Sequence, residues 1–117
     1  MPHILIVDDE PAIRSLLSLH FARAGYEVAQ AANAFDAMSL CGEKSFDVVL
    51  SDVEMTGVNG HELVRWLACR HPAVHCILMS ATEFDCDDCP VAGRCPTLRK
   101  PFSPREATRT IIEMLSK

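Results

Sequence analysis

The sequence predicts an α/β fold in which a parallel sheet carries helices on both faces, and three observations lead there. Short runs rich in Ile, Val and Leu alternate along the chain with longer stretches of helical periodicity. The runs from His3 to Val7, Phe46 to Leu50 and Cys76 to Met79 are almost continuously apolar, as strands buried on both faces require. A length of 117 residues, 49% hydrophobic and 23% charged, suits one compact domain spanning 1–117 and leaves no room for a second core.

The elements follow in order. After the first strand, Pro11 opens a helix pattern with apolar residues at Ile13, Leu16, Leu17, Phe21 and Ala24, ended by Gly25. Tyr26 to Ala31 reads as the second strand, and Asn33 is placed to cap a short helix running to about Lys44. The third strand, Phe46 to Leu50, ends at Ser51 and Asp52. Asn59 with Glu62 three residues on starts a helix bearing Leu63, Val64, Leu67 and Ala68. Cys76 to Met79 is the fourth strand and Thr97 to Arg99 a short fifth. Ser103-Pro104-Arg105-Glu106 is a capping box that opens the last helix, with Ala107, Ile111, Met114 and Leu115 on its apolar face.

Charge and composition exclude several functions. The formal net charge is -5, and no Lys or Arg run is long enough to track a phosphate backbone, so direct nucleic-acid binding is not expected. The N-terminal apolar run meets Asp8 and Asp9 before it could become a signal-peptide core or a membrane span. No membrane association is expected, and the cytoplasm is the expected location. Six cysteines are many for that compartment, which disfavours a structural disulfide framework.

In parallel sheets with right-handed crossovers, ligands bind beyond the carboxyl ends of the strands near a topological switch point. The first strand ends in Asp8-Asp9-Glu10 and the third in Asp52. Carboxylates that converge repel one another and are tolerated mainly when a cation neutralises them. Hard oxygen ligands suit Mg²⁺ or Mn²⁺ better than zinc. The fourth strand adds the Ser80 hydroxyl and the fifth the Lys100 ammonium, followed by Pro101. Taken singly, an acidic pair after a strand is more often a helix cap, and Lys-Pro is usually a turn. Together, at four strand ends, they form a constellation for phosphoryl transfer, in which metal and lysine neutralise equatorial oxygens while a carboxylate attacks in line.

The chain resembles a response-regulator receiver domain of two-component signal transduction, of the CheY-like superfamily, over essentially its whole length. The residues that carry the resemblance are Ile4 to Glu10, Asp47 to Met55 with Gly60, Ser80-Ala81 and Lys100-Pro101-Phe102. The resemblance implies a flavodoxin-like (βα)5 fold with a five-stranded parallel sheet in the order 2-1-3-4-5. It implies that Asp52 is the phosphoacceptor, that Asp9 binds the metal directly and that Asp8 acts directly or through water. The backbone carbonyl of Glu54 would be a further metal contact, Ser80 the hydroxyl that moves to the phosphoryl group, and Lys100 its ionic partner. Members are regulatory domains that take the phosphoryl group from a histidine kinase or phosphotransfer protein, assist its arrival and hydrolysis, and then switch the binding of a downstream protein.

The chain departs from the family pattern in three places. Thr56 stands where proline is common, within a loop kept permissive by Gly57 and Gly60. Thr97 stands where the family usually carries an aromatic residue that turns inward when the hydroxyl moves. Between Ser80 and Lys100, where a full fourth helix is usual, Pro90, Gly93 and Pro96 interrupt the segment from Glu83 to Pro96, so that helix is expected to be shortened or replaced by a cysteine-rich loop.

That segment holds Cys86, Cys89 and Cys95. A tetrahedral metal needs a fourth ligand, from Asp85, Asp87, Asp88 or another chain; Cys76, at the far end of the fourth strand, is a poor candidate. Free thiols, a zinc or iron-sulfur site and a disulfide all fit the spacing. Cys41, Cys69 and Cys76 read as small buried hydrophobes, Trp66 as a packing residue, and Met38, Met55, Met79 and Met114 as core or core-edge. The five histidines show no ligand spacing. Two rivals to the phosphorylation switch follow: a phosphorylation-independent interaction module, and a thiol- or metal-responsive sensor built on the cysteine loop.

Overall fold

A computed structural model describes residues 2–53, 60–71, 73–80, 97–99 and 103–115. The strands are β1 (His3–Val7), β2 (Glu27–Ala31), β3 (Val48–Asp52), β4 (His75–Ser80) and β5 (Thr97–Arg99). The described helices are α1 (Pro11–Arg23), α2 (Ala34–Glu43), α3 (Gly60–Arg70) and α4 (Pro104–Leu115). All strands pair in parallel, and the five-stranded sheet runs β2-β1-β3-β4-β5, the expected order. The expected loss of a helix between β4 and β5 concerns residues outside those described, as do Asn59, Met55 and Thr56. Among the described residues no helix is long and apolar enough to cross a membrane.

Strand pleating sends alternate residues to opposite faces, and the core divides accordingly. Ile4, Ile6, Val48, Leu50, Ile77 and Met79 meet Leu17 and Phe21 of α1 and Ala107, Ile111 and Met114 of α4. Leu5, Val7 and Val49 pack on the other face with Ala34, Ala37 and Cys41 of α2 and Leu63 and Leu67 of α3. The central strands are therefore apolar on both faces through their middles, which is why they could be read from sequence alone.

Where α1 ends, the chain forms a Schellman motif. Gly25 takes φ 98°, the Gly25 N–H donates to Ala22 O and the Tyr26 N–H to Phe21 O, both at 3.1 Å. The hydrophobic contact that accompanies such caps is the edge-to-face pair Phe21–Tyr26, with ring centroids 6.1 Å apart. Tyr26 is thus committed to the cap, and β2 begins one residue later than the sequence suggests. At α2 the expected cap is present: Asn33 Oδ1 accepts from the Asp36 N–H at 2.8 Å. At α4, Ser103 Oγ accepts from the Glu106 N–H at 3.3 Å.

The helical stripes are narrower than their apolar residues suggest. Leu16 is 58% exposed, Ala24 lies exposed at the cap of α1, and Ala68 is exposed on α3. Leu16 stands about 100° round the helix from Leu17, and Ala68 about 100° from Leu67, far enough to leave the sheet. The α1–α4 seam carries a polar pin instead. Thr108 Oγ1 donates to Pro104 O at 3.0 Å, so its lone pair accepts from His20 Nε2 at 2.7 Å.

At the amino end of the sheet, Asp47 joins three strands. Its carboxylate accepts from the His3 N–H at 2.8 Å, its N–H donates to His3 O and its carbonyl accepts from the His75 N–H. The acidic group of that motif nearest the start of β3 is therefore structural, at the opposite end from the other carboxylates.

Candidate functional site

The strand order reverses direction between β1 and β3: β2 lies on one side of β1, and β3 to β5 on the other. This is the topological switch point, where the carboxyl ends of neighbouring strands leave a crevice. Val7 pairs with Ser51, so Asp8, one step beyond, emerges beside Asp52, the last residue of β3. Asp52 pairs with Met79, which sets Ser80 one step further along β4. Ser80 in turn pairs with Arg99 of β5. Lys100 follows Arg99 in the chain but lies outside the described residues, as do Glu54 and Cys86, Cys89 and Cys95.

Ligand oxygens of Asp8, Asp9 and Asp52 lie within 4.8 Å of one another. Asp8 is 0% and Asp52 6% exposed, while Asp9 faces solvent. Two oxygens bound to one Mg²⁺ stand at most about 4.2 Å apart, twice the usual bond length, so small side-chain movements would close this set on the ion. Three hard anionic donors, one of them open to water, fit Mg²⁺ or Mn²⁺, ions that keep part of their hydration shell. The residues fit the expected metal.

The Asp8 turn is held on several sides. Its N–H donates to Ala31 O at 3.2 Å, extending the β1–β2 ladder. Its Oδ1 accepts from the Glu10 N–H at 2.9 Å. Its carbonyl accepts from Arg14 Nη1 at 2.8 Å. Glu10, the cap residue of α1, makes no side-chain cap bond; the carboxylate of Asp8 takes the Glu10 amide instead. Beside Asp52, Val53 N–H donates to Met79 O at 2.8 Å and carries β3 past the acidic residue, and the Ser51 hydroxyl donates to Asp52 O at 3.0 Å. Ser80 is 1% exposed, so its hydroxyl sits inside the rim of the sheet.

Arg14 was not singled out by sequence. An arginine one turn into a helix normally reads as a solvated charge, and only the fold shows its guanidinium returning to the β1–α1 turn.

The described thiols divide by burial. Cys41 is buried, Cys76 half-buried and Cys69 exposed, and none is in a disulfide. Cys69 therefore departs from the expectation of burial, because it lies about 200° round α3 from the inward-facing Leu67. Burial pushes the Cys41 thiol pKa up, lowering its thiolate fraction. Brief iodoacetamide treatment of the native protein should modify Cys69 well before Cys41, read by peptide mass mapping. Denaturant should bring the two rates together; equal rates in the native state would contradict the packing of α2. Trp66, partly buried against the α2–α3 cluster, has the Arg70 guanidinium 5.9 Å from its ring centre and acts as a packing residue, as expected. Met79 and Met114 are buried, and Met38 packs at the core edge.

Comparisons with known proteins agree with this geometry. A family model described as "Response regulator receiver domain" matches residues 4–112. The response regulator SaeR of Staphylococcus aureus is 31% identical over 100% of this chain and 52% of its own length, so the chain spans about half of that curated relative. Among solved structures, the chemotaxis protein CheY4 of Vibrio cholerae superposes with a TM-score of 0.90 at 28% identity, covering 97% of this chain and 98% of that one. The response regulator protein TrrA of Thermotoga maritima, solved in complex with Mg(2+)-BeF, has a TM-score of 0.83 at 27% identity, covering 97% of this chain and 99% of that one.

Proposed function

This chain belongs to the response-regulator receiver family, and we propose that residues 1–117 act as one phosphorylation switch with Asp52 as acceptor. It is the receiver domain of a two-component response regulator, a regulatory unit. The observation that carries the finer reading is the convergence of Asp8, Asp9 and Asp52 within 4.8 Å at the crevice between β1 and β3. The Mg(2+)-BeF complex of TrrA supports the choice of cation.

In this reading the donor is a phosphohistidine on a histidine kinase or phosphotransfer protein. A carboxylate oxygen of Asp52 attacks phosphorus in line. The new P–O bond forms as the P–N bond breaks, and the departing electron pair returns to the imidazole, which takes up a proton. Mg²⁺, when bound, supplies positive charge to the phosphoryl oxygens. Asp8, Asp9 and Asp52 would hold it, with the Glu54 carbonyl. The Lys100 ammonium would pair with the product, and the Ser80 hydroxyl would donate to a phosphoryl oxygen, converting a covalent event into a movement of the β4 end. A downstream protein would read that movement.

The test is intact-mass measurement after incubation with acetyl phosphate and Mg²⁺. The wild-type chain should gain one phosphoryl group only when the metal is present, and Asp52→Ala should gain none. No gain in the wild type, under conditions that label another receiver, would remove Asp52 from this role and return the interaction-module and thiol-sensor readings to the front.

A further inference from the structure

The Asp8 carbonyl belongs to the peptide that joins the two acidic residues. Asp8 is 0% exposed, so this carbonyl must find its partner inside the protein. Asp8 is the residue after β1, and its own N–H donates to Ala31 O at 3.2 Å. The neighbouring Glu10 amide donates to the Asp8 carboxylate at 2.9 Å. The guanidinium of Arg14 reaches back over one helical turn and donates to the carbonyl at 2.8 Å. The Arg14 backbone N–H is itself fixed, donating to Glu10 O at 3.1 Å in the first turn of α1.

From this we infer that Arg14 is a positioning residue for the acidic site, holding the plane of the Asp8–Asp9 peptide and so the directions from which both carboxylates meet a cation. A peptide is planar; a bond to its oxygen fixes the orientation of everything attached to it, including the Cα of Asp9. Asp9 is the exposed member of the set and has the most freedom to lose. The inference rests on the reading of the acidic cluster as a divalent-cation site.

Geometry and charge make opposite predictions for this arginine, and that makes the role testable. A guanidinium near the site repels a cation, so if Arg14 acted only through charge, removing it would tighten Mg²⁺ binding. If it positions the ligands, removing it loosens binding, by about tenfold or more where outer partners of metal ligands are lost. The experiment is titration of the folded chain with Mg²⁺, followed by amide NMR shifts of Asp9 and Glu10, for wild type, Arg14→Met and Arg14→Lys. The expected result is a Kd raised about tenfold in Arg14→Met, with part of the loss restored in Arg14→Lys, which keeps a donor and the charge. Tighter binding by Arg14→Met, or an unchanged Kd with only lower thermal stability, would overturn the positioning role. Should Arg14→Met fail to fold, Arg14→Lys decides alone: a Kd equal to that of wild type would assign Arg14 to charge rather than geometry. No Mg²⁺-dependent shift in the wild type would instead bring down the cation-site reading itself, and this inference with it.

Discussion

Replacing Phe21 with alanine should lower the free energy of unfolding by about 3–5 kcal/mol, a large share of the roughly 5–15 kcal/mol by which such domains are stable. Phe21 is 0% exposed and packs with Ile4, Ile6 and the inner face of α4 in one cluster. Its ring also meets His20 edge-on at 5.3 Å and Tyr26 at 6.1 Å. The substitution therefore empties a core position and removes the apolar contact that closes the Schellman motif. Urea titration would read the loss as a lower midpoint at unchanged slope. The natural control is Leu16→Ala, in the same helix but at a residue 58% exposed, which should change stability by no more than about 0.5 kcal/mol. Equal losses at the two positions would mean that α1 is rotated from the orientation described.

Saturating Mg²⁺ should stabilise the protein by about 2.7 kcal/mol at a hundredfold excess over its Kd, a rise in melting temperature of about 10 °C for a domain of this size. The cause is local. Two of three clustered carboxylates are buried, and a cation that binds them only when the folded chain brings them together favours that state by mass action. Asp52→Asn removes one of the anionic ligands and should abolish most of the shift. Thermal melts with and without Mg²⁺ on both proteins check this, with Ca²⁺ as a second ion for comparison. A wild-type melting temperature indifferent to Mg²⁺ at every concentration would argue against the cation site, whatever the fate of Asp52 as a nucleophile.

Much of the site was legible because parallel-sheet physics places it. β1 and β3 are apolar on both faces and so stand out as runs, and each ends abruptly at a carboxylate. The β4 and β5 ends, at Ser80 and just before Lys100, could be located in the same way. The helices were harder to read in detail. Leu16 counted as core because it is apolar and adjacent to Leu17, and Cys69 because it lies in a helix. One-dimensional periodicity cannot say how wide the covered stripe is; that depends on the distance to the neighbouring helix. Tyr26 was assigned to β2, whereas the left-handed turn at Gly25 draws it into the cap of α1.

The amino-acid sequence by itself determined the order of elements, the parallel sheet and the acidic residues at its carboxyl edge. It did so because strand burial and strand ends are local properties of hydrophobicity and turn chemistry. Three matters were decided only by the tertiary structure. Asp52, more than forty residues beyond Asp8 and Asp9 along the chain, comes within 4.8 Å of them because β1 and β3 pair in the register Val7↔Ser51. Asp47 separates from them as a strand staple because it stands just before the start of β3, at the opposite edge of the sheet. Arg14 turns from a surface charge into a brace on the Asp8 carbonyl because burial leaves that oxygen in need of an internal donor, a requirement that arises only once the sheet and α1 have closed around it.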